Sequence, residues 1–326
     1  MLVLAILSGA IVLWWLVLAA CLPLGLQLVP RIPTDARPAT FPARVSVIVR
    51  ARRDEEPPPR CLASLATQDM APLEVFVDDD DSTDLTRNAA GDWLLFLDGD
   101  IELAPAALRA TVAAAETQGA AALTAASRFD CATVWEAIIQ PPLAMLIMMQ
   151  GPRGVSDPND RQVSASCGFL LFRREAYEAN EAVGGHASVR CVVNATHLLR
   201  FRRFQSAGEL WHQWCLAFGG ALAGRRWPAL GSAVCTALTF TGAHAAAMSA
   251  FFVTPVPLAW VLWGLAITQT CASLAVGRLL GLEPRYVVLQ PIGALFAVGV
   301  LLHAAVAPTR TGASSLMHAA HAKRAR

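Results

Sequence analysis

The sequence predicts an α/β domain on a largely parallel sheet, set between membrane-spanning helices. Three observations lead there. Of 326 residues, 55% are hydrophobic and only 16% charged, where an ordinary soluble domain carries about a quarter charged residues. The charges are also segregated: Met1 to Pro30, Pro228 to Gly277 and Tyr286 to Thr309 contain no Asp, Glu, Lys or Arg, and a spanning helix needs about 20 apolar residues. Between them lies a polar insert, Arg31 to Trp227, in which short apolar runs alternate with helical patterns, the signature of a parallel sheet covered by helices.

Taken in order, Leu2 to Val29 reads as an anchor occupying 1–30. Leu18-Ala19-Ala20-Cys21 has the look of a lipoprotein cleavage box. No basic residue precedes the apolar run, however, and its length of about 28 exceeds a signal peptide's hydrophobic region. Arg31, Arg37, Arg44, Arg50, Arg52 and Arg53 follow. Positive residues beside a span stay in the cytoplasm, so the insert is expected on the cytosolic side of a multi-pass protein in the cell membrane.

Within the insert, Val45 to Val49 is a β-branched run that reads as a buried strand, and Cys61 to Gln68 is a short helix with Leu62 and Leu65 on one face. Leu73 to Val77 is a second strand, ending in Asp78-Asp79-Asp80-Asp81-Ser82-Thr83-Asp84. Trp93 to Leu97 is a third, ending in Asp98-Gly99-Asp100. Pro105 to Gln118 is an Ala-rich helix with proline in its first turn. Ligands of such sheets bind beyond the carboxyl ends of the strands, where both acidic clusters fall. Asp98 and Asp100 offer two hard oxygen ligands to Mg²⁺ or Mn²⁺, ions that take one or two carboxylates together with substrate phosphates. A nucleotide would supply those phosphates. The plainer reading of Asp-Gly-Asp is a solvated turn between strand and helix.

Val45 to Glu56 (VSVIVRARRDEE), Glu74 to Thr86 (EVFVDDDDSTDLT) and Trp93 to Asp100 (WLLFLDGD) resemble the three opening motifs of family 2 inverting glycosyltransferases. Gly168 to His186 resembles that family's acceptor-side segment. Phe204 to Trp214 and Gln290 to Gly293 resemble parts of a bacterial membrane subgroup acting on hopanoid, carotenoid and other polyprenoid-type lipids. The resemblance implies a GT-A-like (nucleotide-diphospho-sugar transferase) domain over 31–200, inserted between transmembrane helices. Its donor would be a nucleotide sugar, its acceptor a lipid or lipid-linked hydroxyl, and its cofactor Mg²⁺ or Mn²⁺. Asp79 and Asp80 would contact the donor's base and ribose, Asp54 or Glu55 would lie near them, and Asp98 and Asp100 would hold metal and diphosphate.

The sequence departs from that family in four places. Only Arg87-Asn88-Ala89-Ala90 bridges the acidic segment to Gly91-Asp92, where the family has a few tens of residues, so the sheet is expected to lose a strand or Leu73–Val77 to pair differently. The family's base-bearing Glu-Asp motif is absent: Ala195 stands where its Asp is expected, or the Asp is deleted. Arg50 replaces a usual proline, Asp81 stands where glycine is common, and Asn180-Glu181-Ala182 is a small insertion. Inversion needs one base for the acceptor hydroxyl. His197 is the nearest substitute, its imidazole titrating in the right range, and His186 resembles a position on the acceptor side. Both are as readily ordinary loop or core histidines. Asp157 and Asp160 read as turn residues.

Phe204, Leu210, Trp211, Trp214 and Phe218 recur at helical spacing opposite Arg202 and Arg203, which predicts an amphipathic interfacial helix over 201–227. Trp135 to Met149 is apolar enough for a lipid-facing surface or for core. Two or three transmembrane helices are expected over 228–309, giving three or four spans in all, before a basic tail at 310–326. The eight cysteines are never closer than 20 residues, so no zinc motif is signalled, and a net charge of +1 gives no field for nucleic acid. The alternative to an enzyme is a catalytically impaired relative acting as a membrane binding or scaffold protein. A transporter is disfavoured, because the spans hold hardly an ionisable residue beyond His244 and His303.

Overall fold

In the computed structural model the described residues are 30–39, 43–50, 59–70, 73–78, 85–131, 133–149, 168–182, 191–201, 206–221, 226–242, 256–279 and 289–306, with the single positions 13, 244, 245, 247, 248, 251 and 286. The elements run β1 (Val45–Arg50), α1 (Pro59–Ala66), β2 (Leu73–Asp78), α2 (Leu85–Asn88), β3 (Trp93–Asp98), β4 (Ile101–Leu103), α3 (Ala107–Thr117), β5 (Ala122–Ala126) and β6 (Arg128–Phe129). Then come α4 (Val134–Met149), β7 (Phe169–Arg173), α5 (Arg174–Ala182), β8 (Cys191–Asn194), β9 (Leu199–Phe201), α6 (Ala207–Ala221), α7 (Arg226–Ala237), α8 (Val256–Leu279) and α9 (Gln290–Val306). They divide into two compact units: an α/β unit, and a helical unit holding α4 and α6 to α9. The insert is therefore not one continuous domain, because α4 leaves it for the helices.

The α/β unit is built on a mixed six-stranded sheet in the order β2-β1-β3-β7-β5-β8. β1 pairs in parallel with β2 and with β3, β5 with β8, and β7 runs antiparallel to β3 and β5. Val45, Val47, Val49, Leu95 and Leu97 of the central strands are buried against Cys61 and Leu65 of α1 and Leu108 and Val112 of α3. On the opposite face Leu94 and Phe96 meet Phe172 and Tyr177; the three rings have centroids 5.4 to 5.9 Å apart, Phe172 standing edge-on to Phe96 and Tyr177. Burial on both faces is why these strands read as unbroken apolar runs. A second sheet, β4-β9-β6, continues from the end of β3.

The short connection after β2 does not alter that strand's pairing: Leu73–Asp78 lies parallel to β1, in register Val45 to Leu73. It forms the outer strand of the described sheet, with Val75 and Val77 exposed. A hydrogen-bond network ties the shortened loop down. Ser46 donates to Glu74 Oε2 at 2.6 Å, while the Gly91 and Ala90 amides donate to Ser46 Oγ and Glu74 Oε2 at 2.8 and 2.9 Å. Arg174 closes the other side, its guanidinium donating to the carbonyls of Gly91 and Ala89. These bonds, Ser46 first, hold the Glu74 carboxyl below its ordinary value. A carboxyl shifted down contributes stability that is present above its unfolded value and lost as pH falls through its folded one. Glu74→Gln should therefore be less stable than wild type near pH 7 and converge with it as pH falls through the lowered folded value, as read by thermal unfolding midpoints across an acid series.

In the helical unit, α6 lies within the 201–227 read as an interfacial helix. Its apolar stripe, Leu210, Trp214 and Phe218, is buried, and Trp211 packs edge-on against Phe296 of α9 at 5.1 Å. Among the described residues no helix is long and apolar enough to cross a membrane. α9 has 17 residues, about 25 Å against a hydrocarbon core of about 30 Å. α7 ends after 12 residues in a π-helical turn, Leu238–Gly242, and α8 carries Thr268, Gln269, Thr270 and Ser273 within its length. The anchor read over 1–30 and the tail at 310–326 lie outside the described residues, apart from Leu13 and Pro30.

Candidate functional site

β1 lies between β2 on one side and β3 on the other, so the chain leaves the two central strands in opposite directions. A crevice opens at such a reversal, beyond the carboxyl ends of the strands. Here those ends are Arg50 and Asp98, paired in register. Arg50 Nη2 donates to Asp98 Oδ1 at 2.8 Å, both side chains being about one-third exposed. The backbone fixes the turn from both sides: Gly99 N–H donates to Arg50 O at 3.2 Å, and Asp98 N–H to Gly168 O at 2.8 Å. Gly168, just ahead of β7, has φ +62°, and a Cβ placed there would fall 2.7 Å from Asp98 Oδ2. The carboxylate thus rests on a glycine in a conformation that side-chain-bearing residues rarely adopt.

Asp100 follows two residues on, half-buried at the entry to β4. Beneath it, burial pushes the Cys61 thiol up to about 12, with the Asp100, Glu102 and Asp98 charges adding to the shift. That thiol is 1% exposed and inert, but it registers how much negative charge gathers at this edge. Two carboxylates in such a field are a donor set suited to Mg²⁺ or Mn²⁺ that also takes phosphate oxygens. Among the described residues no group of three or more His, Cys, Asp or Glu side chains is placed to hold a metal without them.

The second sheet adds a residue that the sequence does not single out. Ile101 faces Phe201, and Phe201 faces Phe129. Asp130 stands one residue beyond Phe129, its amide donating to Phe201 O at 3.1 Å, at the edge where Asp100 enters β4. Two strand spacings, about 10 Å, separate them. Asp130 lies 3.9 Å from Arg128 and 4.0 Å from Arg200. A two-residue strand has no periodicity to detect, so only the pairing reveals this carboxylate.

His197 is placed differently. Leu103 faces Leu199 and Ala104 N–H donates to Leu198 O at 2.7 Å, so His197 lies in the turn ahead of β9, beyond the end of the ladder opposite to the one where Asp100 enters β4. Burial, and then the Arg31 charge, hold its imidazole below the ordinary value, against a hydrogen bond with the Ile32 backbone. The structure brings Arg50, Asp98 and Asp100 together and sets His197 apart. Ala195 is fully buried, its amide donating to Ala126 O, so a side chain at that position faces the core. Asp54, Glu55, Asp79, Asp80 and His186 lie outside the described residues, as do Asp157 and Asp160.

No family model matches the chain, and no curated protein does. Among solved structures, it is similar to a mannosyltransferase from Pyrobaculum calidifontis in complex with GDP-mannose and Mn²⁺, at 16% identity over 98% of this chain and 99% of that one, TM-score 0.42. It is also similar to S. aureus TarS 1–349 in complex with UDP-GlcNAc, at 12% identity over 80% and 90%, TM-score 0.36. A third is glucosyl-3-phosphoglycerate synthase from Mycobacterium tuberculosis with Mn²⁺ and UDP, at 14% identity over 60% and 87%, TM-score 0.35. These likenesses are distant.

Proposed function

We propose that this chain is a membrane-bound glycosyltransferase that moves a sugar from a nucleotide sugar to a lipid or lipid-linked acceptor with inversion. The observation that carries the reading is the position of Arg50, Asp98 and Asp100 at the carboxyl ends of β1 and β3, where the connections of the sheet diverge. Two carboxylates and a guanidinium there suit a diphosphate and its counter-ion. Asp98 and Asp100 would hold Mg²⁺ or Mn²⁺, which supplies positive charge for the departing nucleoside diphosphate. In the displacement, the acceptor oxygen bonds to the anomeric carbon, the bond from that carbon to the diphosphate breaks, and the hydroxyl proton passes to a carboxylate. Asp130 is assigned that proton, since its amide bonds Phe201 O at the edge of the second sheet where Asp100 enters β4.

Apart from Val75 and Val77, every exposed large hydrophobic side chain among the described residues belongs to the helical unit. Trp135, Trp227, Trp260 and Phe251 are the bulkiest of them. Exposed aromatic and aliphatic surface of this extent matches a lipid surface, and the arginines following the apolar amino terminus favour the cytoplasmic face for the α/β unit.

Release of nucleotide from a panel of nucleotide sugars, with and without Mn²⁺ and a lipid extract, tests the reading on detergent-purified protein. Metal- and lipid-stimulated release is expected, abolished by Asp100→Ala. Asp130→Asn should retain donor binding and lose turnover. Donor binding without turnover in wild type would favour the impaired relative, the reading that buried Ala195 supports. No metal-dependent donor binding at all would end the glycosyltransferase reading.

A further inference from the structure

We infer that Arg50 couples binding of the donor diphosphate to binding of the divalent cation: its guanidinium holds Asp98 until a diphosphate enters, then turns to the phosphates and leaves Asp98 to the cation. This rests on the nucleotide-sugar reading of the same crevice.

The geometry gives Asp98 one usable side. Its Oδ2 lies against the Gly168 backbone, where an added Cβ would approach to 2.7 Å. Its Oδ1 is bound by Arg50 Nη2 at 2.8 Å. A divalent ion and the guanidinium therefore compete for the same oxygen. The pair is also reachable, with side chains 39% and 33% exposed, so an incoming ligand can contact Arg50 without unfolding the strand that carries it.

Two charge considerations set the order of events. A diphosphate arriving alone meets Asp98, Asp100 and Glu102, and one guanidinium cannot offset both sets of like charge. A divalent ion arriving alone must displace a guanidinium already hydrogen-bonded to its ligand. Arriving together, the two resolve the conflict: the planar fork of donors fits phosphate oxygens as well as it fits a carboxylate, and Asp98, once released, would be free to hold the cation. Each ligand should raise the affinity of the other by the same factor, as linkage requires.

The test is titration of the full-length, detergent-purified protein with Mn²⁺ alone, with UDP or GDP alone, and with each in the presence of the other. Bound Mn²⁺ is read by its paramagnetic resonance signal. In wild type, a nucleoside diphosphate is expected to tighten Mn²⁺ binding at least about tenfold, a coupling within the usual allosteric range. Arg50→Met should bind Mn²⁺ alone at least tenfold more tightly than wild type, bind diphosphate alone more weakly, and lose most of the coupling. Arg50→Met with unchanged or weaker Mn²⁺ binding would overturn the inference, even if diphosphate with Mn²⁺ still bound and the proposed function stood. If Arg50→Met does not fold, the wild-type titrations decide: independent binding of Mn²⁺ and diphosphate overturns the inference. Failure of every nucleoside diphosphate to bind, with Mn²⁺ present, would remove the proposed function and the coupling together.

Discussion

Gly168→Ala is expected to lower stability by about 2–5 kcal/mol and to weaken the proposed donor site at the same time. The backbone contribution comes from φ +62°, where a side-chain-bearing residue costs about 1–2 kcal/mol. The steric contribution comes from a Cβ that would meet Asp98 Oδ2 at 2.7 Å, Ile101 Cδ1 at 2.9 Å and Asp98 Cβ at 3.1 Å, and crowding of this kind adds about 1–3 kcal/mol. Asp98 can relieve it only by rotating, which breaks its bond to Arg50 and moves the carboxylate out of the crevice. The unfolding midpoint of the detergent-purified protein should fall by roughly 5–10 °C, with a parallel loss of Mn²⁺-dependent diphosphate binding. A double-mutant cycle with Asp98→Ala separates the two contributions. Removing the carboxylate should recover the Oδ2 part of the crowding and leave the Ile101 and Cβ contacts with the backbone part, so the pair should be non-additive by about 1 kcal/mol. Strict additivity would mean that Gly168 does not support Asp98.

Elements that bury both faces were legible in the sequence, and elements defined by their partners were not. Val45–Val49 and Trp93–Leu97 announce themselves, because a central strand must be apolar along its whole length, and the acids that end β3 follow from where those runs stop. β7 is different. Phe169–Arg173 is a short apolar run whose antiparallel direction depends on pairing with β3, some 75 residues away in the register Trp93 to Arg173. The same holds for Asp130, placed by a two-residue strand against β9, and for Arg50, which as a sequence feature is a mere departure from a motif. Its meaning appears only beside Asp98. One further signal is local: Thr133 and Glu136 form a capping box at the start of α4, with Thr133 N–H donating to Glu136 Oε2 at 2.9 Å and Glu136 N–H to Thr133 Oγ1 at 3.2 Å. Threonine followed three residues later by glutamate is a helix start that spacing alone announces.

The fate of α4 was not local, and Gly293 explains it. α4 (VWEAIIQPPLAMLIMM) is apolar enough to suit core or lipid, and its place among the helices is fixed by a close crossing with α9. A Cβ on Gly293 would lie 2.0 Å from the carbonyl oxygen of Ile138, 2.9 Å from its carbon and 3.3 Å from Ile139 Cα. All three are backbone atoms, so no side chain can swing aside and the helices must part. Ala294 and Ala297 are fully buried on α9, as small residues are where helix backbones approach closely. Gly293→Ala should therefore destabilise at the upper end of the overpacking range, about 3 kcal/mol, and lower the unfolding midpoint in detergent by several degrees. Two companions calibrate the result. Gly299→Ala would meet only the Trp211 ring, at 2.8 and 3.0 Å, and a ring can shift, so its loss should be smaller. Gly231→Ala meets nothing within 4 Å and should gain up to about 1 kcal/mol from helix propensity alone. Midpoints ranked Gly293→Ala, Gly299→Ala, wild type, Gly231→Ala from lowest to highest would confirm the crossing. If Gly293→Ala instead matched Gly231→Ala, α4 and α9 would not be packed backbone to backbone, and the assignment of α4 to the helical unit would fall with them.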